Sequence, residues 1–207
     1  MTLFYFVRHG QTEWNADRNR YCGRSDIGLS QTGVRQAELA AGVLKDIPFD
    51  VVYASTLGRA VHTAEILVKG RNLKIHQDPR LVETDFGAWE GERQEDFTVK
   101  YADNWEAWLK DPGATHAGYT GETAVQVYNR VRACIDELVE KHPEETVLVV
   151  AHSMAIRFFV AGTLEVPFKN YRMIPQDNTG ITIYKETPEN AGFLAINLNT
   201  HLSSIKY

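Results

Sequence analysis

Arg8, His9 and Gly10 stand in series behind an apolar run, Leu3 to Val7, and open the stretch R-H-G-Q-T-E-W-N that closes at Asn15. A guanidinium is a permanently charged planar fork suited to an anion. An imidazole beside it can attack, exchange protons or ligate. Glycine lets the backbone turn sharply and approach a ligand closely. A second histidine, His152, ends another apolar run far down the chain, T-V-L-V-V-A at Thr146 to Ala151. A third run, Val51 to Tyr53, passes through Ser55 to a helix start carrying Arg59. If these runs are parallel strands of an open α/β sheet, their carboxyl ends share one crevice, where ligands of such sheets bind. Two imidazoles and two guanidiniums near a helix N-terminus suit a tetrahedral dianion such as phosphate.

The elements that must position these groups follow from periodicity. After the first loop, a helix starts at Ser30 or Thr32 and keeps Val34, Ala37, Ala40, Ala41 and Leu44 on one face, with Pro48 as its breaker. Ser55 or Thr56 can cap the next helix, whose inner face is Ala60, Thr63, Ala64 and Leu67 and which Gly70 closes. Leu73 to His76 is a weaker strand. The β-α-β-α-β rhythm predicts a parallel sheet with helices on both faces. From Arg80 to Tyr119 the pattern changes: Trp89, Trp105 and Trp108, two acidic runs and two short helices (Gln94 to Tyr101, Asp103 to Lys110) stop at Pro112. This reads as a helical cap insertion, about residues 80–120, covering one end of the sheet. A long amphipathic helix from about Thr123 to His142 follows, with Val127, Tyr128, Val131, Cys134, Ile135 and Leu138 as its apolar line, so Cys134 is core packing. Ala155 to Leu164 is a buried helix. A turn at Asn178-Thr179-Gly180 leads into Ile181 to Tyr184, and a hairpin-like turn at Asn190-Ala191-Gly192 into Phe193 to Asn197, an antiparallel edge.

The 207 residues fit one domain, with 43% hydrophobic and 24% charged residues as in an ordinary soluble globule. A net charge of −5 disfavours a nucleic-acid partner. Cys22 and Cys134 fit neither a CxxC nor a zinc spacing. The opening apolar run of five residues, followed by Arg8, is neither a signal peptide nor a membrane span. The expectation is a single cytoplasmic α/β domain with no membrane or nucleic-acid partner and no cofactor, a homodimer being left open.

R-H-G-Q-T-E-W-N resembles the signature of the histidine phosphatase superfamily, which includes the cofactor-dependent phosphoglycerate mutases. The likeness continues through G-L-S-Q-T-G-V-R-Q-A at Gly28 to Ala37, S-T-L-G-R-A-V-H-T-A at Ser55 to Ala64, and V-E-T-D-F-G-A-W-E-G at Val82 to Gly91. It then takes in T-G-E-T at Thr120 to Thr123 and V-V-A-H-S at Val149 to Ser153. The resemblance implies one α/β domain with a mainly parallel, six-stranded sheet. It implies His9 as the nucleophile that carries the phosphoryl group, Arg8, Arg59 and His152 as phosphate-holding groups, Asn15 as a further donor and Glu83 as the acid/base carboxylate. Cys22 and Gly23 fall where relatives contact substrate with a hydroxyl residue and a glycine, so Cys22 is a departure, as is Ser153 after His152 where glycine is common.

The physics is consistent with those roles. Two fixed cations disfavour imidazolium and keep an attacking histidine neutral. They also neutralise phosphoryl oxygens without a metal. The reading is therefore a metal-independent phosphomonoesterase acting on small phosphorylated metabolites. The alternatives are a phosphoglycerate mutase and a silent phospho-ligand binder, the last disfavoured because His9 and Glu83 are both present. Hydrolysis is preferred over mutase chemistry because Gly91 to Tyr119 offers only Arg93, Lys100 and Lys110 as cations, against Glu92, Glu95, Asp96, Asp103, Glu106 and Asp111. Of the other histidines, His62, one turn after Arg59, reads as a structural or solvent group that could help line the pocket, and His76, His116 and His142, with no partners in sequence, read as surface residues. His201 is a candidate for a supporting or closing role. The tryptophans should pack the cap, with Phe86 or Trp89 as the aromatic that could touch substrate.

Overall fold

A computed structural model describes residues 1–18 and 20–204. Six strands form one sheet in the order β3-β2-β4-β1-β5-β6. They are β1 (Thr2–Arg8), β2 (Val51–Ser55), β3 (Ile75–Asp78), β4 (Thr146–Ala151), β5 (Ile181–Glu186) and β6 (Ala191–Leu198). The first four in that spatial order are parallel, whereas β5 pairs antiparallel with β1 and with β6. This is the expected single α/β domain with a mainly parallel sheet and an antiparallel edge.

Alternation along the central strands decides what packs on each face. On β1 and β4, Phe4, Phe6, Val147, Val149 and Ala151 point into one cluster, and Val7, Leu148 and Val150 into the other. The first face is covered by α6 (Ala124–Lys141) and α7 (Ser153–Thr163), through Val127, Val131, Ile135, Phe158 and Phe159. The second is covered by α2 (Gln31–Leu44) and α3 (Gly58–Leu67), which approach on the small residues Ala40, Ala60 and Ala64. Because β4 lies between β1 and β2, five of its six residues are branched or small apolar, the exception being Thr146 at the rim.

Several boundaries differ from the sequence expectation. The N-cap of α3 is Leu57, with no side-chain cap, so neither Ser55 nor Thr56 performs that task. The weak strand lies at Ile75–Asp78 rather than Leu73 to His76, because its register against β2 runs Val52↔Ile75 to Ser55↔Asp78. The last strand begins at Ala191, since Ala191 and Gly192 pair with Glu186 and Lys185; the turn is therefore Thr187 to Asn190.

The 80–120 segment holds two 3-10 turns, α4 (Gln94–Lys100) and α5 (Ala102–Lys110). Its aromatics share the main core: Trp89 stacks on Phe97 at 5.0 Å, and Trp108 meets Phe158 and Tyr171. Trp108 Nε1 also donates to the Tyr171 hydroxyl (3.3 Å). Among the described residues no helix is long and apolar enough to cross a membrane.

Candidate active site

The register Arg8↔Ala151, beside Ala54↔Val150, ends β1, β4 and β2 at one edge, which brings His9, His152 and Ser55 together. His9 is buried, and its ring centroid lies 5.0 Å from that of His152. His9 Nδ1 lies 2.7 Å from the Gly10 carbonyl, an acceptor only, so Nδ1 carries the ring proton and Nε2 keeps its lone pair. The loop behind it is held tightly. The Gly10 amide donates to Thr63 Oγ1 (3.1 Å), and a Cβ at Gly10 would fall 2.3 Å from the Gly33 carbonyl oxygen. Burial first, then the charges of Arg59 and Arg8, push the His9 pKa well below the ordinary 6.5, against a smaller opposing effect of the Gly10 bond. The ring is therefore neutral at physiological pH, with an unprotonated Nε2.

His152 is its counterpart. Its Nε2 lies 2.8 Å from Ser55 Oγ, which also accepts the Leu57 amide (3.2 Å). Ser55 is thus free to give its own proton to Nε2, leaving the proton of His152 on Nδ1. That buried atom has no hydrogen-bond partner among the described residues, and a buried polar atom of this kind awaits a ligand. Burial and the charge of Arg59 push the His152 pKa well below 6.5. Arg8 donates through Nη1 to the Gln176 carbonyl (2.7 Å), while its buried Nε has no partner among the described residues. Burial and the nearby Arg157 lower its pKa to about 10. Arg59 is fully buried and spends its terminal nitrogens on the carbonyls of Ser25, Gly23 and Cys22; its Nε has no partner among the described residues. It therefore also shapes the 22–25 loop.

Glu83 caps α7. Its Oε1 accepts the amides of Thr84 (2.8 Å) and Ala155 (3.1 Å), and its Oε2 accepts that of Met154 (3.1 Å). The N-cap residue of α7 is His152, which offers no side-chain cap, so Glu83 supplies one and is locked beside the two histidines. Oε2 accepts one amide bond and has capacity for a proton. Arg130 of α6 donates to the carbonyls of Arg80, Val82 and Glu83 and pairs with Glu122 at 2.8 Å, which fixes the backbone under Glu83. This gives the T-G-E-T motif a role: Glu122 also takes Arg24 and the Asp85 amide.

A cleft of about 180 Å³ opens over these groups, and its walls include Arg8, His9, Asn15, Cys22, Glu83 and Ser153. Arg59 and His152 stand behind its floor, and the Gly23 amide is taken by Glu90 at 3.0 Å. Burial pushes the Cys22 thiol up to about 11, so it is a neutral wall residue and no nucleophile at physiological pH. Of Phe86 and Trp89, it is Phe86 that lines the wall. His142 is not a partnerless surface residue: it bridges Tyr53 (3.0 Å) and Glu145 (2.8 Å). His201 contacts Thr179 Oγ1 (3.1 Å), and the Thr179 amide donates to the Arg8 carbonyl, so it buttresses the site from behind.

The wall also carries Arg20, Arg157, Arg172, Tyr21 and Tyr171, none of which the sequence reading singled out. Arg157 lies four residues after Ser153 on α7 and shares that residue's face. From Gly91 to Tyr119 only Gln94 reaches the cleft. None of the acids of that segment lines the cleft, and two of them are paired elsewhere, Glu92 with Lys100 and Glu95 with Arg18. Their charge balance therefore does not set the polarity of the cleft, which is cationic, and the preference for hydrolysis cannot rest on it.

Two histidines held neutral make stability depend on pH in a definite direction. Unfolded, each titrates near 6.5; folded, each titrates well below. Between those limits the unfolded chain binds the extra protons, so stability is complete above 6.5 and is lost as pH falls. Each such group contributes up to about 1.4 kcal/mol per pH unit. In phosphate-free buffer the urea midpoint of the wild type should fall more steeply between pH 6.5 and pH 5 than that of His9→Ala. Identical slopes would contradict the neutral, depressed state of His9.

Residues 4–199 match the family model for the histidine phosphatase superfamily (branch 1). The chain is 31% identical over 202 residues to phosphoserine phosphatase 1 of Hydrogenobacter thermophilus, covering 98% of this chain and 95% of that protein. It is 32% identical over 190 residues to the probable phosphoglycerate mutase GpmB of Cronobacter sakazakii, covering 91% of this chain and 87% of that one. In structure it resembles a mutant phosphoserine phosphatase from Entamoeba histolytica in complex with phosphoserine, with a TM-score of 0.88 at 27% identity, over 98% of this chain and 100% of the other.

Proposed function

The chain belongs to the histidine phosphatase superfamily, and from that premise we propose that it hydrolyses small phosphorylated metabolites through a phosphohistidine on His9. The observation that carries the reading is a neutral, buried His9 whose Nε2 is free because Nδ1 is tied to Gly10, set beside a second neutral histidine and two arginines. In the first step, His9 Nε2 attacks phosphorus and the phosphorus–ester oxygen bond breaks. The departing alkoxide takes a proton from Glu83. In the second, water attacks phosphorus and gives a proton to the Glu83 carboxylate. The phosphorus–nitrogen bond breaks, the electron pair returns to Nε2, and inorganic phosphate leaves.

Arg8, Arg59, the Nδ1–H of His152 and Asn15 hold the non-bridging oxygens, supplying the charge stabilisation that phosphoryl transfer needs. The relative named phosphoserine phosphatase 1 supports hydrolysis as the outcome, and the GpmB relative supports mutase chemistry as the alternative.

Incubation with a monoester labelled in its phosphoryl group, quenched in base because phosphohistidine is acid-labile, should give label bound to protein and released inorganic phosphate. Absence of both would overturn the proposal. Interconversion of phosphoglycerate isomers, primed by the bisphosphate and faster than phosphate release, would assign the mutase reaction instead.

A further inference from the structure

The mechanism leaves part of the cleft unexplained. Arg8, Arg59, His9 and His152 meet the needs of one phosphoryl group, yet three more arginines line the walls. Arg20 is already paired with Asp17 at 2.6 Å. Arg172, exposed, lies over the Trp105 ring at 4.9 Å and gives Nε to the Tyr171 hydroxyl (3.1 Å) and an Nη to the Tyr21 hydroxyl (3.3 Å). Arg157 is different. It is half-buried on α7, its buried Nε has no partner, and it makes no hydrogen bond or ion pair to the described residues. Burial lowers its pKa, opposed by the charge of Glu83. A guanidinium Nε kept out of water without an acceptor is unfavourable unless a ligand supplies one.

Position defines that ligand. Arg157 follows Ser153 by four residues on one face of α7, about 6 Å along the axis at ~1.5 Å per residue. The helix starts at the His9–His152 pair, so Arg157 stands one turn out from the phosphoryl site. The Tyr171 hydroxyl accepts from both Trp108 Nε1 and Arg172 Nε, so its own proton is available to a further acceptor. Arg157 and that hydroxyl offer a planar fork plus one donor, a match for a carboxylate. A second phosphate dianion is less suited, since the nitrogens of Arg172 are partly spent on phenols and the cleft is only about 180 Å³.

We propose that Arg157, supported by Tyr171 and Arg172, reads a carboxylate on the substrate. The preferred esters are then small phosphorylated carboxylic acids with the carboxylate one carbon away from the ester-bearing carbon, as in O-phosphoserine and 3-phosphoglycerate. The proposal rests on the phosphatase reading for turnover but not for binding.

O-Phosphoserine and O-phosphoethanolamine differ only in the carboxylate and share the ammonium and the type of leaving alkoxide. The wild type should prefer phosphoserine in kcat/KM. Arg157→Met should lose about 100-fold on phosphoserine, mainly in KM. On phosphoethanolamine it should change less than about threefold, with inhibition by inorganic phosphate retained, and Arg157→Lys should fall between. Equal losses on both esters would place Arg157 in support of Glu83 or of the fold and overturn the assignment. So would a wild type that favours phosphoethanolamine. Calorimetric binding to the His9→Ala protein separates this from the phosphatase reading. Selective loss of phosphoserine affinity on adding Arg157→Met supports the carboxylate subsite even where no ester is turned over. Unchanged affinity overturns it even where hydrolysis is fast.

Discussion

His9→Ala should abolish turnover and phosphoenzyme together, with a loss on the order of 10⁴-fold or more, as for removal of other covalent nucleophiles. No other side chain can take over the attack. His152 faces the site at 5.0 Å, but its Nε2 is engaged by Ser55 Oγ at 2.8 Å, and with the Ser55 proton directed to Nε2 the remaining Nδ1 is a donor and not a nucleophile. Cys22 is on the wall, but its thiol is raised to about 11 and is protonated at neutral pH. Phosphate binding, in contrast, should survive within about tenfold, because Arg8, Arg59 and His152 remain and each contributes charge or hydrogen bonds of its own. Base-quenched labelling and phosphate calorimetry on the same variant measure the two halves. A normal steady-state rate in His9→Ala would refute the assignment, and loss of phosphate binding along with turnover would mean that the ring also organises the anion site.

What the sequence disclosed depends on where the determining physics lies. The strand Thr146–Ala151 is legible because a position covered on both faces must be apolar throughout, and its boundary is set where His152 begins. Arg8-His9 is legible because the chemistry follows the strand end directly. Ser55 was visible as a polar residue before a helix, but its partner is 97 positions away in His152, and no local rule distinguishes a helix cap from a histidine clamp. Arg157 was obscured in the opposite way: its helix reads as apolar on both sides, and only packing shows that one face of its first turn borders a cleft. The acidic 91–119 stretch misled because charge was counted along the chain, whereas a ligand meets charge across space. Glu92 and Glu95 face their own lysine and arginine partners, and the cleft draws its cations from β1, the loop after the short helix Glu13–Ala16, α7 and the 3-10 turn Phe168–Met173.

Glu83→Gln tests the proton path and should split the two half-reactions. Glutamine keeps the shape and one carbonyl oxygen for the Thr84 and Ala155 amides, so α7 retains most of its cap; what goes is a group that can give and take a proton. With a substrate whose alkoxide is a strong base, such as glycerol phosphate, bond cleavage needs a proton as it proceeds, and the phosphorylation rate should drop by about 10²–10⁴-fold. With p-nitrophenyl phosphate the leaving phenolate is stable unprotonated, so His9 should still be phosphorylated at a rate within about tenfold of the wild type. Both substrates then converge on one phosphohistidine, which water must attack without the Glu83 carboxylate to accept its proton. That step should be slow whatever the first leaving group was. The variant should therefore show a burst of p-nitrophenolate near one equivalent per enzyme, followed by slow turnover, with label accumulating on His9. Glycerol phosphate should show neither burst nor accumulation. Equal losses in the transient phase for the two esters would move the proton donor away from Glu83, and rapid turnover of p-nitrophenyl phosphate without a burst would leave Glu83 as the acid only, with another group activating water.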